Sequence, residues 1–204
     1  MKHIGITGRM GAGKSFICRI FHEAFGIPVF DSDAEAKACY AEPEVREAVC
    51  KAFGSRLQLA DGQIDLKQLG AIVFSDNRKL QTLNRIVHPA VMERYRCWES
   101  QQSCAPYSLF ESAILFDCRL EKHFDAVIYI QCPESLRIER VQERNGWSRS
   151  DIAQRLQHQK EETETAARAD FVIRHDSTAS LEVSRQNLLP QIGRIHKSLT
   201  TDNF

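Results

Sequence analysis

Short, continuous apolar runs alternate along this chain with longer stretches of helical periodicity. HIGIT at 3–7 reads as a buried strand. After a glycine-rich segment comes SFICRIFHEAF at 15–25, whose apolar positions recur at helical spacing as far as the breaker Gly26. IPVF (27–30), YSLFE (107–111), DAVIYI (125–130) and DFVIR (170–174) supply four more strands. A strand buried on both faces is apolar throughout rather than alternating, and helices between such strands cover the two faces. The expected fold class is therefore α/β, with a parallel five-stranded sheet.

Two excursions interrupt this alternation. Residues 31–106 separate the second strand from the third, far more chain than one crossover helix uses, so 34–105 is expected to project as a helical insert. Within it QLADGQIDL carries a turn signal, while LKQLGAIVF and RKLQTLNRIV look helical. The second excursion, 133–169, reads as two charged helices joined at Asn145-Gly146 and resembles a lid. The chain is thus expected to be one domain over 1–204, with a core at about 1–33, 106–132 and 170–204, consistent with the core a chain of this length can bury. There is no internal repeat, and the polar tail TTDNF is expected to fray.

Charge narrows the partners. Lysine plus arginine number 27 and aspartate plus glutamate number 27, so no global field attracts nucleic acid or an anionic membrane. Any anion site must be local. The apolar runs are too short to span a bilayer and the first residues lack a signal-peptide pattern, which makes a cytoplasmic location the expectation. The seven cysteines are scattered, with no CxxC pair, which argues against a disulfide framework or a zinc site. The oligomeric state is left between monomer and small homo-oligomer.

The local anion site is GITGRMGAGKS, residues 5–15. Gly8, Gly13, Lys14 and Ser15 satisfy GxxxxGK[ST], with a strand before and a helix after, as a P-loop requires. Glycines let consecutive backbone N–H groups curl around a phosphate, and the helix N-terminus adds partial positive charge. Gly11, Ala12, Gly13 and Phe16 are assigned backbone donation to ATP, Lys14 contact with the β/γ-phosphates, and the Ser15 hydroxyl a Mg²⁺ ligand. The alternative is a glycine-rich turn with an exposed lysine.

Other residues offer chemistry at the expected strand ends. Asp31 and Asp33 follow the second strand, where open parallel sheets bind ligands; if the chain stays extended, their i, i+2 spacing sends both side chains towards the phosphate loop. One carboxylate then holds a metal-bound water while the other takes a proton from an attacking alcohol. The alternative is a helix N-cap at Ser32 or Asp33. Glu111 ends the third strand and either supports the Mg²⁺ shell or caps. Arg137, Arg140 and Arg144 share a helical face, with Arg155 beyond, and serve either as lid arginines for a moving phosphoryl group or as a solvated face laced with Glu134, Glu139 and Glu143. His88 precedes Pro89, which is expected to interrupt the helix there; taken alone it reads as a structural histidine at a helix boundary.

Taken together, IGITGRMGAGKS, VFDSDAEAK, IVFSDNRKLQTLNRIVHPAV, FESAILF, RIERVQERNGWS and QRLQHQ resemble, in order and approximate spacing, the dephospho-CoA kinase family from about residue 3 to 195. The resemblance implies a P-loop NTPase core, a helical CoA-binding insert and a lid. It also implies an ATP-dependent kinase that phosphorylates the ribose 3′-hydroxyl of dephospho-CoA, giving CoA and ADP in the final step of CoA biosynthesis. By position it makes Asp33 the base, with Asp31 beside it. Arg140 and Arg144 become the lid arginines, and His88 a substrate-side residue. Three positions depart from the family pattern: Arg9-Met10 in the loop, Asp117 in SAILFD, and His175 where asparagine is common. The competing readings are a P-loop kinase of another small alcohol or nucleoside, and a nucleotide-dependent switch, although the chain has neither an NKxD guanine signature nor an LSGGQ-like segment.

Overall fold

The computed structural model describes residues 1–102, 104–149, 152, 162–177 and 180–201. Strands β1 (Lys2–Thr7), β2 (Val29–Asp31), β3 (Tyr107–Glu111), β4 (Ala126–Gln131) and β5 (Phe171–Arg174) form one sheet in the order β2-β3-β1-β4-β5. Every pairing is parallel, so the α/β class and the five-stranded parallel sheet are as the sequence predicts. β2 begins two residues later than IPVF suggests. Pro28 has no N–H to give the ladder, yet its carbonyl still accepts from the Leu109 N–H at 2.9 Å.

The chain divides into two compact units, Met1–Asp31 with Gln102–Phe204, and Ser32–Gln101. In the first, α1 (Lys14–Phe25) and α8 (Leu181–Thr200) pack together. Their Ile17, Ile20, Phe21, Leu188 and Ile192 join Ile4, Ile6, Ile128 and Ile130 of the central strands in one core. Each such side chain, once fully buried, contributes about 1.5–3 kcal/mol. α6 (Glu134–Asn145) follows β4 and stops at Gly146, whose left-handed backbone closes the helix end as the Asn-Gly pair predicts. Of the expected second lid helix, Arg149, Ile152 and the stretch from 162, with α7 (Glu162–Ala166), fall within the described residues, and Arg155 lies outside them.

The second unit is helical: α2 (Ser32–Cys39), α3 (Pro43–Phe53), α4 (Leu66–Val73) and α5 (Asn77–Glu99). α5 contacts the other three through Leu83, Val87, Val91 and Tyr95, a stripe repeating every four residues. Arg94 bridges Glu35 at 2.6 Å and Glu42 at 3.0 Å, tying α5 to α2 and to the start of α3. The turn signal in QLADGQIDL becomes a tight hairpin bridged at Gln58 and Ile64, with Gly62 in the left-handed region.

One expectation fails here. α5 runs unbroken through Pro89, so His88 lies in mid-helix rather than at a boundary. A helix-interior proline costs about 3 kcal/mol. Burial of Val87 and Val91 on either side, with the Asp76 side chain accepting the Arg78 N–H at the helix start, offsets that cost. Among the described residues no helix is long and apolar enough to cross a membrane.

Candidate active site

Parallel topology brings the carboxyl ends of β3, β1 and β4 side by side, and the glycine-rich loop leaves β1 at that edge. Gly13 caps α1 in the left-handed conformation, with no side-chain cap and no acidic residue in the first turn. A helix start of this kind is the arrangement that binds phosphate. Ala12 is fully buried and its N–H donates to the Arg9 carbonyl at 3.0 Å, which closes the loop on itself.

Two glycines are imposed by protein as well as by ligand. A Cβ on Gly11 (φ +83°) would stand 2.4 Å from the Arg137 carbonyl oxygen, and one on Gly13 (φ +90°) 2.6 Å from the His175 ring. α6 and the segment after β5 thus press on the loop from outside.

Lys14, almost wholly buried, donates to the Gly8 carbonyl at 3.2 Å, curling its ammonium over the loop. The Ser15 hydroxyl donates to Glu111 Oε1 at 2.7 Å. Register explains the meeting: Glu111 pairs with Ile6 of β1 on one side and with Asp31 of β2 on the other. The Cys18 thiol, one turn below Ser15, also bonds Glu111. Burial first, then the Glu111 charge, pushes the Cys18 pKa well up, so it remains a neutral thiol. Phe16, the remaining loop residue assigned to ATP, stacks on His175 with ring centroids 5.8 Å apart.

The donor set suits a hard cation held jointly with a nucleotide. Ser15 and Glu111 offer two oxygens, and among the described residues no cluster of three or more acidic, histidine or cysteine side chains forms a protein-only cage. Mg²⁺ is usually held in this way, through few protein ligands plus phosphate oxygens and water.

The paired carboxylates differ from the extended arrangement. β2 ends at Asp31 and α2 begins at once with Ser32, so Asp33 and Glu35 lie in a helical first turn and the strand alternation that aligned Asp31 with Asp33 does not hold. Acidic residues in a first turn stabilise the helix through its dipole, which favours this local start. Asp31 and Asp33 are both exposed.

The three arginines of α6 also part company. Arg137 is 1% exposed, its Nε donating to the Cys132 carbonyl at 3.0 Å; it belongs to the core rather than to a lid face. The wheel gives its angle but not the loop backbone that packs on that half of α6. Arg140 donates to the Ser177 carbonyl at 3.0 Å and to Cys132 Sγ at 3.3 Å, and lies against His175. Arg144 is exposed and donates to Asn145. In the helical unit, His88 is partly buried. Its Nε2 has no hydrogen-bond partner among the described residues, and burial lowers its pKa. His175, singled out only as a departure from a family pattern, turns out to touch Ala12, Gly13, Phe16 and Arg140. Its position just after β5, at the same sheet edge as the loop, was the available signal.

Comparison with known proteins identifies the family. The dephospho-CoA kinase family profile matches residues 2–180. The chain is 36% identical to the Porphyromonas gingivalis dephospho-CoA kinase over 203 residues, covering 97% of this chain and 94% of that protein. It is 33% identical to the Bacteroides fragilis one over 190 residues, covering 93% and 88%. A crystal structure from Thermus thermophilus superposes with a TM-score of 0.80 at 29% identity, over 98% of both chains. The Campylobacter jejuni dephospho-CoA kinase shares the fold, with a TM-score of 0.64 at 24% identity over 96% of this chain and 98% of that one. With the family profile matched over residues 2–180 and relatives matched along nearly the full length, the chain belongs to the dephospho-CoA kinase family.

Proposed function

We propose that this enzyme transfers the γ-phosphate of ATP to the ribose 3′-hydroxyl of dephospho-CoA, giving CoA and ADP, the last step of CoA biosynthesis. The observation that carries this is the loop from Gly8 to Ser15, joined to Glu111 through Ser15, in a chain that matches the family along nearly its whole length. The amides of Gly11, Gly13 and Phe16 bind the phosphates, whereas that of Ala12, expected to join them, is given to the Arg9 carbonyl. Lys14 exchanges the Gly8 carbonyl for the β- and γ-phosphates, where its charge opposes the negative charge gathering in transfer. Ser15 and Glu111 hold Mg²⁺ together with the nucleotide. When bound, Mg²⁺ supplies charge neutralisation at the transferring phosphate.

Asp33 takes the proton from the 3′-hydroxyl, with Asp31 as its neighbour. Its exposure in the first turn of α2 puts the carboxylate within reach of a substrate, which supports this assignment. Arg140 and Arg144 act from α6 on the phosphate charge, and the Arg140 guanidinium lies beside the loop, 3.8 Å from where a Gly13 Cβ would stand. His88 serves the acceptor side, a role its unsatisfied, neutral Nε2 supports. The location is cytoplasmic, where ATP and the acceptor are both available.

The test is a coupled ADP-release assay with ATP and Mg²⁺ across dephospho-CoA, shikimate, gluconate and nucleosides. Turnover selective for dephospho-CoA is expected. Equal or greater turnover of another alcohol would displace this function.

A further inference from the structure

We propose that His175 is a positioning residue of the phosphate loop, its two ring nitrogens fixing the Ala12 peptide on one side and the seat of Arg140 on the other. The inference rests on the ATP-dependent function above and deepens it.

The backbone of His175 is held first: its N–H donates to the Gln131 carbonyl at 2.9 Å, extending the β4–β5 pairing by one residue. The side chain is 6% exposed. Its Nδ1 lies 2.9 Å from the Ala12 carbonyl oxygen. A carbonyl only accepts, so Nδ1 carries the ring proton and Nε2 keeps a lone pair. The Arg140 guanidinium lies along the ring, Nη1 3.3 Å from Nδ1 and Nη2 3.3 Å from Nε2; with the Nδ1 proton given to Ala12, only Nε2 is left to accept from it, and Nη2 also donates to the Ser177 carbonyl. Phe16 stacks on one side of the ring, and the other contact is Gly13, where even a methyl group would not fit.

The consequence follows from peptide geometry. In a trans peptide the carbonyl of one residue and the N–H of the next point in opposite directions. Pinning the Ala12 carbonyl on His175 turns the Gly13 N–H away from the imidazole, the orientation a nest of loop amides needs to donate to phosphate. The lone pair at Nε2 at the same time holds Arg140 beside the loop. Burial, and secondarily Arg140, lower the His175 pKa against the opposing Ala12 bond, which is consistent with a neutral ring.

The two functions are separable by isosteres, because an asparagine amide nitrogen reaches where Nδ1 stands but no further. ATP dissociation constants by calorimetry, kcat, KM and melting temperature are to be measured for the full-length wild type, His175→Phe and His175→Asn. His175→Phe keeps the ring volume and the stack but leaves the Ala12 carbonyl unpaired; ATP binding is expected to weaken about 10-fold, with kcat reduced as well. His175→Asn is expected to restore ATP affinity to within about 3-fold of wild type while kcat stays low, since Arg140 has lost its acceptor. Wild-type affinity and turnover in His175→Phe would overturn the inference, reducing the ring to filler. If His175→Phe proves too unstable to assay, His175→Asn decides alone: weak ATP binding in a variant that melts normally would overturn the Nδ1 assignment. A wild-type protein that binds no ATP would instead overturn the function beneath it.

Discussion

Lys14 and Asp33 are expected to fail in different ways when replaced, and the difference tests their roles. Lys14 donates to the Gly8 carbonyl, a hydrogen bond of the kind worth a net of about 0.5–1.5 kcal/mol, or about 1–6 °C of melting temperature at this chain length. Its transition-state contribution is far larger, so Lys14→Ala should cost about 10²-fold or more in turnover with little loss of stability. Asp33 is exposed at the start of α2, so Asp33→Asn should leave both folding and KM for ATP nearly unchanged and lower kcat, since a base acts only in the chemical step. Steady-state kinetics beside thermal melts separates these outcomes. A change confined to KM for ATP in Asp33→Asn would move that residue to the nucleotide side.

The elements show what a sequence conveys and where it stops. Continuous apolar runs announced all five strands because burial on both faces leaves few other compositions, and Asn145-Gly146 announced the end of α6 because a left-handed closing residue needs glycine. The loop was legible because close phosphate approach fixes residue types at fixed spacing. What escaped depended on tertiary neighbours. α5 continues through Pro89 because packing outweighs a local cost, and Arg137 is buried because loop backbone covers its side of α6. His175 reaches Ala12 across 163 positions, a distance at which no local pattern operates.

The pressure of α6 on the loop makes its own prediction. Gly11 and Gly26 both have left-handed backbones, but a Cβ at Gly26 meets nothing within 4 Å whereas one at Gly11 meets the Arg137 carbonyl at 2.4 Å. Gly26→Ala should therefore cost only the conformational term of about 1–2 kcal/mol, and Gly11→Ala about 1–3 kcal/mol more. Urea denaturation of the two variants measures the gap. Equal losses would mean that α6 does not press on the loop.

At the scale of the whole molecule, stability should depend on pH through three histidines. Burial lowers the pKa of His88, His175 and His196 below the ordinary value of about 6.5. The unfolded chain then binds protons at a pH where the folded one does not. Stability is complete above about pH 6.5 and is lost as pH falls through the lowered values. Melting temperature should fall between about pH 7 and 5, and the fall should shrink when His196, stacked on Phe25 and bonded to the Tyr107 hydroxyl, is replaced by glutamine. A melting temperature flat across that interval would contradict the burial of these rings.

In the proposed reaction the loop at Gly8–Ser15 presents ATP to a sugar hydroxyl of a CoA precursor. The most direct measurement incubates the protein with Mg²⁺, dephospho-CoA and ATP labelled in its γ-phosphate, then locates the label in the product by phosphorus NMR. The label is expected on the ribose 3′-oxygen, with one ADP released per CoA formed. Label appearing only as free phosphate, or on another oxygen, would contradict it.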